Sequence, residues 1–323
     1  MDILNDFLLN KAWEFAEIIK IDVQTVKEIT SKWFMSKIFE ASSNKWDVIV
    51  HCYMPIKQQI IEQTHLKIKL ISDFVRANTE IPTSEIFVSY QYQWYYIIIQ
   101  QKLQWKILGY RTIENNEIID IFELATDDIL QKIIIYLRDL HNIKFTGFGY
   151  PVLENGKLKG SFQGWAEFLD KMWNIWLDSL FSNYNEQEKF LTKTQYQYIK
   201  EYLKNLLDFN SEILSKVQPS LVLWDAANPS NILIDGNKIT WFIDFEWGLI
   251  WDRAREFAYG DDWRFLTKDY FVWFTQQEIA DFQVRLKISK IYRLLWWSNV
   301  HVKWNQIKDI LFKEFSNLIK KND

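Results

Sequence analysis

The chain of 323 residues contains only one cysteine, five prolines and nine glycines. The single cysteine, Cys52, excludes a disulfide within the chain and is typical of a reducing compartment. Because Cys52 stands in an apolar run, we expect a buried structural thiol rather than a nucleophile. No stretch approaches the roughly 20 apolar residues that a membrane span needs, so we expect no membrane partner.

An excess of basic residues is also missing. The sequence has 38 Lys and Arg against 42 Asp and Glu, a formal net charge of −4. Proteins that bind nucleic acid normally carry a basic patch, so we expect no nucleic-acid partner. The first residues, Met1 to Asp6, are acidic and lack a signal-peptide pattern, which favours a cytoplasmic protein. The length suits one two-lobed unit or two domains.

Hydrophobic periodicity divides the chain into a first part with strands and a second part dominated by helices. We expect a helix over residues 2–29, a hairpin over 31–53, an amphipathic helix over 56–78 and strands over 86–91 and 94–99. Further helices are expected over 127–141, 164–181, 186–209 and the last fifty residues. Only one hairpin is expected to interrupt these later helices.

That hairpin lies in Leu221 to Ala258, a segment that carries two carboxylates and one amide in a suggestive order. Asp225 precedes Asn231, and the turn signal Asp235-Gly236 is followed by an apolar strand that ends at Asp244. Phosphoryl transfer needs a carboxylate that positions the acceptor hydroxyl and oxygen ligands for magnesium. The segment supplies each of these parts once.

This order resembles the aminoglycoside phosphotransferase and choline kinase group of small-molecule kinases. The family's His-Gly-Asp loop, Pro-Gly-Asn, Ile-Asp-Trp/Phe-Glu and Gly-Asp-Pro hallmarks are matched in order by Leu223-Trp224-Asp225, Pro229-Ser230-Asn231, Ile243-Asp244-Phe245-Glu246 and Trp251-Asp252-Arg253. The resemblance implies an α+β, bilobal protein-kinase-like fold. Its small N-terminal lobe, residues 1–104, would have an antiparallel sheet and a helix that cover the nucleotide. Its larger lobe, residues 105–323, would be mainly helical with a catalytic β-hairpin.

The resemblance also implies the roles of particular residues. Asp225 would be the catalytic base, and Asn231 and Asp244 would bind Mg²⁺. Residues that would contact ATP are Gln101, Lys102 and Leu103 at the hinge and His51 on a strand. The expected activity is transfer of the γ-phosphate of ATP to a hydroxyl of a small molecule such as an aminoglycoside, choline or a sugar.

Several departures from the family fall on the chemistry. His51 stands where a phosphate-binding lysine or arginine is expected, and Leu223 replaces the loop histidine. The interval from Asp225 to Asn231 is one residue longer than usual, so counting back from Asn231 would place Ala226 at the base position. These departures motivate an alternative, a catalytically impaired kinase-like protein that binds nucleotide or acts as a scaffold.

Taken singly, the polar residues have structural interpretations. Asp225 could form an Asx turn with Ala227, and Asn231 could cap a turn in the same way. His141 is expected to end a helix and bond a carbonyl group, since a lone histidine is a poor metal site. Asp261 and Asp262 could attract a cationic acceptor, although a solvated acidic turn is the plainer interpretation.

Tryptophan is abundant where the family has glycine. The chain has 17 tryptophans, whereas an average glycine content would give about 22 glycines rather than nine. The positions concerned are Trp33, Trp46, Trp105, Trp224, Trp241 and Trp251. We hypothesise that UGA codons that encode glycine were rendered as tryptophan at these positions. The alternative is that they are true tryptophans of an aromatic core.

Overall fold

The computed structural model describes residues 23–29, 36–43, 47–53, 64–92, 95–102, 106–114, 117–182, 193–223, 226, 228–245, 248–258 and 265–301. It divides into two compact units. The first comprises Met1–Ile107 with Ile232–Gly248, and the second comprises Leu108–Asn231 with Leu249–Asp323. A segment from the middle of the chain therefore belongs to the unit built from its beginning.

In the described chain, strands are more frequent in the first part and helices in the second part. The strands are β1 (Val23–Ile29), β2 (Ser36–Ser43), β3 (Val48–Tyr53), β4 (Ile86–Tyr92), β5 (Tyr95–Gln101), β6 (Lys106–Ile107), β7 (Tyr110–Glu114), β8 (Glu117–Ile121), β9 (Phe148–Glu154), β10 (Lys157–Phe162), β11 (Ser220–Val222), β12 (Ile232–Asp235), β13 (Lys238–Phe242) and β14 (Leu249–Trp251). The α-helices are α1 (Thr64–Asn78), α2 (Asp127–Asn142), α3 (Trp165–Ser182), α4 (Lys193–Phe209), α5 (Ser211–Ser215) and α6 (Gln276–His301). Short 3-10 helices span Pro229–Asn231 and Arg253–Phe257.

The first unit is built on an antiparallel sheet in the order β1-β2-β3-β5-β4. Alternate residues of β2 and β3, including Phe39 and Val50, are buried, as a period of two requires. Helix α1 buries Ile71 and Val75. Cys52 lies in this core, and burial raises the pKa of its thiol to about 12. The prediction of a buried structural cysteine is confirmed.

A second, three-stranded sheet of the first unit has the order β13-β12-β6. The β12–β13 hairpin turns at Asp235-Gly236, where Gly236 has a φ of 57°, as expected for this turn signal. Strand β13 is fixed at its end, because the Phe242 N–H donates to the carbonyl oxygen of Pro82 at 2.8 Å. The hairpin predicted from the motif segment is therefore present and anchored.

The second unit combines helices α2 to α6 with a four-stranded sheet in the order β10-β9-β14-β11. Helix α2 begins at a Thr126 cap, whose hydroxyl accepts from the Ile129 N–H. A Cβ on Gly160 would stand 2.3 Å from the Phe148 nitrogen, so only glycine fits at this position of the antiparallel β9–β10 pair. Among the described residues, no helix combines the length and apolar character needed to cross a bilayer.

The predicted pattern of elements is right for most helices and wrong at two places. Residues 23–29 form β1, although a helix was expected over 2–29. The prediction that one hairpin interrupts the later helices is also wrong, because β9, β10, β11 and β14 form a sheet there. These strands are short. β11 and β14 pair across a long interval of sequence, and the β9–β10 pair is interrupted by a bulge. Periodicity is weak over three to seven residues.

Trp251 fills the core of the second unit. Its side chain is fully buried and packs edge-on against Phe168 and Tyr292, each with ring centroids 4.7 Å away. Among the described non-glycine residues, only Asn155 and Asp244 have a positive φ, so Trp241 and Trp251 have ordinary backbones. Nothing in the backbone at these two positions calls for glycine. The other hypothesised glycine positions, Trp33, Trp46, Trp105 and Trp224, lie outside the described residues.

We expect Trp251→Gly to lower the free energy of unfolding by about 3–5 kcal/mol or more, because removing the indole leaves a cavity between Phe168 and Tyr292. Urea unfolding measures this loss. Trp241→Gly, on a half-buried strand position, is the matched control and should cost less. A variant at position 251 that gained stability would favour native glycine, and a UGG codon there would exclude it.

Candidate functional site

Strand β11 delivers the loop that contains Asp225. Ser220, Leu221, Val222 and Leu223 are all buried, and the Ser220 hydroxyl donates to the backbone oxygen of His141 at 3.0 Å. This hydrogen bond fixes β11 to the end of helix α2. The chain therefore enters the loop from a rigid strand in the core of the second unit.

The carboxylate of Glu256 holds the loop from behind. Its Oε2 accepts the backbone N–H of Leu223 at 2.8 Å, and its Oε1 accepts the backbone N–H of Ala226 at 2.7 Å. These two amides flank positions 224 and 225 in sequence. Glu256 is fully buried in the 3-10 helix Arg253–Phe257, which packs against β11. One buried side chain thus satisfies two backbone donors, one on each side of Asp225.

His141 stands next to this carboxylate. Its Nε2 lies 3.6 Å from Glu256 Oε2, and its Nδ1 lies 2.8 Å from the Tyr270 hydroxyl. Burial lowers the pKa of His141, against the opposing effect of Glu256, so the imidazole is neutral at pH 7. The imidazole of His141 therefore lies between the Tyr270 hydroxyl and the Glu256 carboxylate. The expectation that this side chain bonds a carbonyl is wrong, because its partner is a phenol.

Beyond the anchored amides, the loop is shaped by Asn228. Its Oδ1 accepts from the Ser230 N–H at 3.0 Å and from the Ser230 hydroxyl at 2.7 Å, which forms an Asx turn. The Asn231 N–H donates to the Asn228 carbonyl oxygen at 2.9 Å, and Asn231 is buried. Ala226 is also buried. Asp225 and Ala227 lie outside the described residues, as do Asp261 and Asp262.

Asp244 has an unusual backbone conformation. It follows the end of β13 by two residues and has a φ of 74°, in the left-handed region that few non-glycine residues adopt. Aspartate and asparagine are the side chains that tolerate this region best. In the hairpin, Ile232 pairs with Phe242, and Asn231 immediately precedes Ile232 in the chain. Non-glycine residues with strained backbones cluster at functional sites.

The segment after Asp244 is packed against helix α1 in the first unit. Phe245 is buried, and the Gly248 N–H donates to its carbonyl oxygen at 3.0 Å. A Cβ on Gly248 would stand 2.6 Å from the Cδ1 of Ile71, so the turn lies directly on the helix. This packing fixes the position from which Asp244 projects.

His51 is neutral and already hydrogen-bonded within the first unit. Its Nε2 lies 3.2 Å from the Nε2 of Gln100, whose Oε1 accepts from the Ser84 hydroxyl at 3.1 Å. Because the amide nitrogen donates, His51 Nε2 is the acceptor and the ring is uncharged. Burial lowers the pKa of His51 to about 4. A cationic phosphate ligand is therefore absent from this position of β3 at pH 7.

At the predicted hinge, two backbone donors are already used. The Gln101 N–H donates to the Glu85 carbonyl oxygen, and the Lys102 N–H donates to the Asp47 carbonyl oxygen, each at 3.1 Å. The ammonium group of Lys102 contacts Glu40 and lies 3.3 Å from Asp47 Oδ2. The hydrogen bond to Glu40 raises the pKa of Lys102 most. Leu103 lies outside the described residues.

Acidification should destabilise the protein partly through His51. Its imidazole stays neutral in the folded state down to about pH 4, whereas the unfolded side chain takes up a proton below about pH 6.5. We therefore expect the free energy of unfolding to fall by up to ~1.4 kcal/mol per pH unit from this group over that range.

The measurement is urea unfolding between pH 7 and pH 4 for the wild type and His51→Gln. Glutamine cannot titrate but can still accept from Gln100, so the variant should show the shallower dependence on pH. His141 is present in both proteins, so its contribution cancels. Identical slopes would show that His51 is protonated in the folded state or exposed to solvent.

The donor set of the two predicted metal ligands suits magnesium. A carboxylate and an amide oxygen are the hard ligands that Mg²⁺ prefers, and few protein ligands suffice because the ion retains waters and binds phosphates. Within the described residues, no group of three or more His, Cys, Asp and Glu side chains could hold a metal by itself. A site of the zinc type is therefore not found in that part of the chain.

Comparison with solved structures decides the fold. An aminoglycoside phosphotransferase, APH(4)-Ia, in ternary complex with AMP-PNP and hygromycin B matches with a TM-score of 0.64, 14% identity and coverage of 99% of this chain and 98% of that one. The chain has the fold of the aminoglycoside phosphotransferases. An ethanolamine kinase of Plasmodium vivax also matches this phosphotransferase fold, with a TM-score of 0.62, 14% identity and coverage of 98% and 87%. A fructosamine-3-kinase candidate of Haemophilus somnus 129PT matches with a TM-score of 0.60 and 10% identity. The match covers 91% of this chain and 92% of that one.

The similarity is one of structure and not of sequence. No family model matches the sequence, and no curated protein matches it. Sequence identities to these structures are 10–15%, so the chains share a fold although most of their side chains differ. The predicted family resemblance and the α+β class agree with these matches. A shared fold does not by itself establish the chemistry of the site.

Glu256, Asn228 and Tyr270 are residues around this loop that the motifs of the sequence did not indicate. Asn228 carried a usable signal, because Asn followed by Pro-Ser is typical of an Asx turn. Glu256 carried none, since its partners are backbone amides thirty or more residues away. Every residue except proline has a backbone N–H, so no sequence motif indicates which of them a carboxylate will bind.

Proposed function

We propose that this protein is an ATP-dependent phosphotransferase that transfers the γ-phosphoryl group to a hydroxyl group of a small molecule. The observation that carries the proposal is the match over nearly the whole chain to small-molecule kinases, one of them in complex with AMP-PNP and hygromycin B. The order Asp225, Asn231 and Asp244 around the β12–β13 hairpin supports it. Fold alone does not fix the acceptor.

Asp225 would orient the acceptor hydroxyl and accept its proton late in the transfer. Support comes from the loop, in which Leu223 and Ala226 are held by Glu256 and Ala226 is buried. A buried methyl group at 226 cannot take part in proton transfer, so the carboxylate at 225 is the group available at this turn. The described end of the interval between Asp225 and Asn231 contains the Asx turn at Asn228.

Asn231 and Asp244 would hold Mg²⁺ through their side-chain oxygens. When bound, the ion would neutralise charge on the phosphates of the nucleotide. The positive φ of Asp244 supports a functional role, because such a conformation is retained only where the surroundings impose it. The packing of Gly248 on α1 supplies that constraint.

The adenine would bind at Gln101 to Leu103. The N–H groups of Gln101 and Lys102 are used inside the sheet, so neither of these two amides would donate to adenine. His51 would contact phosphate weakly, since it is uncharged at pH 7. The acceptor would be a small molecule of the kind that the matched kinases use, such as an aminoglycoside or an amino alcohol.

A second candidate is a kinase-like protein that binds nucleotide without efficient transfer. His51 favours it, because a neutral imidazole that is hydrogen-bonded to Gln100 replaces the expected cation. Such a protein would bind nucleotide but would not transfer the phosphoryl group. The two candidates therefore differ in the rate of phosphoryl transfer and not in the affinity for nucleotide.

The test is the rate of ADP release and of product formation with Mg·ATP and a panel comprising hygromycin B, ethanolamine, choline and fructosamine, with products identified by mass spectrometry. Asp225→Asn should lower the transfer rate by about 10²- to 10⁴-fold and leave AMP-PNP binding intact. Asp244→Asn keeps a side chain that tolerates positive φ, so it should weaken both binding and transfer without loss of stability.

Asp235→Asn is the matched control, because Asp235 is exposed at the turn of the same hairpin and Asn-Gly is an equally good turn sequence. It should behave as the wild type does. Nucleotide binding without any product would favour the second candidate. Equal loss of AMP-PNP binding in the variants at 225 and 244 would contradict the roles assigned to them.

A further inference from the structure

We propose that the connection between α1 and β4 couples the base of the nucleotide to the metal ligand Asp244, with Ser84 as its positioning residue. The connection comprises residues 82–85, and we call it the α1–β4 connection. The inference rests on the proposed function in one respect, namely that the base binds at Gln101 and the metal at Asp244. All the contacts on which it depends lie within the first unit.

The two ends of the α1–β4 connection are bonded to the two segments that it would couple. The Glu85 carbonyl oxygen accepts the N–H of Gln101, at the end of β5, at 3.1 Å. At the other end, the Pro82 carbonyl oxygen accepts the N–H of Phe242, at the end of β13, at 2.8 Å. Asp244 follows Phe242 by two residues. The connection therefore joins the predicted base segment to the strand that leads to the metal ligand.

Ser84 fixes the middle of the connection to further elements. Its carbonyl oxygen accepts the hydroxyl of Ser72 in α1 at 3.1 Å. Its own hydroxyl donates to Gln100 Oε1 at 3.1 Å, and Gln100 Nε2 lies 3.2 Å from His51 Nε2 on β3. Ser72 and Ser84 are buried, so water does not readily replace the hydrogen bond between them. One residue of the connection is thus bonded to α1 and to β5, and through Gln100 to β3.

The turn after Asp244 is fixed to the same helix. A Cβ on Gly248 would lie 2.6 Å from the Cδ1 of Ile71, the residue before Ser72 in α1. Asp244 therefore lies between two attachment points, Phe242 on the α1–β4 connection and Gly248 on α1. Its φ of 74° persists only where the surroundings impose it. A displacement of the connection and α1 relative to β5 would move both attachment points and, with them, the carboxylate.

The Ser84 hydroxyl can be removed without detaching the base segment. In Ser84→Ala the amide oxygen of Gln100, which is half-buried, loses its donor, whereas the backbone hydrogen bonds of Pro82 and Glu85 remain. A polar group that loses its partner in this way favours rearrangement of the segment around it. The substitution should therefore loosen the connection relative to β5 and leave its two ends attached.

Coupling between two binding sites is reciprocal. A base that binds at Gln101 restrains Glu85 and, through the connection, Asp244, so Mg²⁺ binds more tightly when the base is present. Mg²⁺ must then strengthen binding of the base by the same factor. A triphosphate without a base would bind at the metal but would not engage the connection. Comparison of the two ligands therefore isolates the contribution of the α1–β4 connection.

The experiment compares the wild type, Ser84→Ala, Gln100→Leu and the double variant in the full chain. Ser89→Ala is the matched control, because it makes the same change at a half-buried position of β4 outside the connection. The first readout is amide hydrogen exchange at Phe242 and Gly248. We expect exchange to rise about tenfold in Ser84→Ala and in Gln100→Leu, and to match the wild type in Ser89→Ala. The double variant should exchange no faster than Gln100→Leu, because both changes remove the same hydrogen bond.

The second readout is the Mg²⁺ concentration that gives half-maximal binding of AMP-PNP and of inorganic triphosphate. The wild type should need about tenfold less Mg²⁺ with AMP-PNP than with triphosphate, whereas Ser84→Ala should need equal concentrations with the two ligands. Adenosine, which carries no phosphate, should bind both proteins equally, because the hydrogen bond between Glu85 and Gln101 is intact. General destabilisation would not separate metal binding from base binding in this way.

The two proposals fail separately. Unchanged exchange in Ser84→Ala, or an equal rise in Ser89→Ala, would overturn the coupling. An equal Mg²⁺ requirement for AMP-PNP and triphosphate in the wild type would also overturn it, and the proposed function would stand because AMP-PNP still binds. A wild type that binds neither adenosine nor AMP-PNP would overturn the phosphotransferase, and exchange at Phe242 and Gly248 would then decide the link from Ser84 by itself. If Gln100→Leu does not fold, Ser84→Ala and Ser89→Ala are sufficient.

Discussion

The buried carboxylate of Glu256 is the constraint on which the loop after β11 depends. A full negative charge in a protein core is costly unless hydrogen bonds compensate it, and here two backbone amides do so. The interaction joins segments thirty residues apart in sequence. Ser220, bonded to the end of α2, and His141, bonded to Tyr270, are further buried polar groups of the second unit. Leu223 and Ala226, the described residues on either side of Asp225, are thereby tied to the core of the second unit.

The hairpin and the turn after it show the same design in the first unit. Hydrogen bonds fix β13 at Phe242, and close packing of Gly248 on Ile71 fixes the chain after Asp244. Between these two fixed points, Asp244 adopts a backbone conformation that is unfavourable by itself. At Asp244, therefore, the surrounding elements constrain the conformation of the backbone.

Sequence predicted the motif hairpin and most helices because those signals are local. The Asp235-Gly236 turn, the apolar strands beside it and the period of α2 can each be detected within one window of residues. The strands β11 and β14 are three residues long and exist through pairing with each other, so their signal is not local. Glu256 was missed for the same reason. The contact between His51 and Gln100 was not predicted either, because it requires the register of β3 and β5.

The most direct measurement is a crystal structure of the protein with AMP-PNP and Mg²⁺. The account predicts the metal at about 2.1 Å from side-chain oxygens of Asn231 and Asp244, the adenine against Gln101 to Leu103, and the Asp225 carboxylate turned towards the terminal phosphate. Nucleotide bound elsewhere, or a metal that neither Asn231 nor Asp244 contacts, would contradict it.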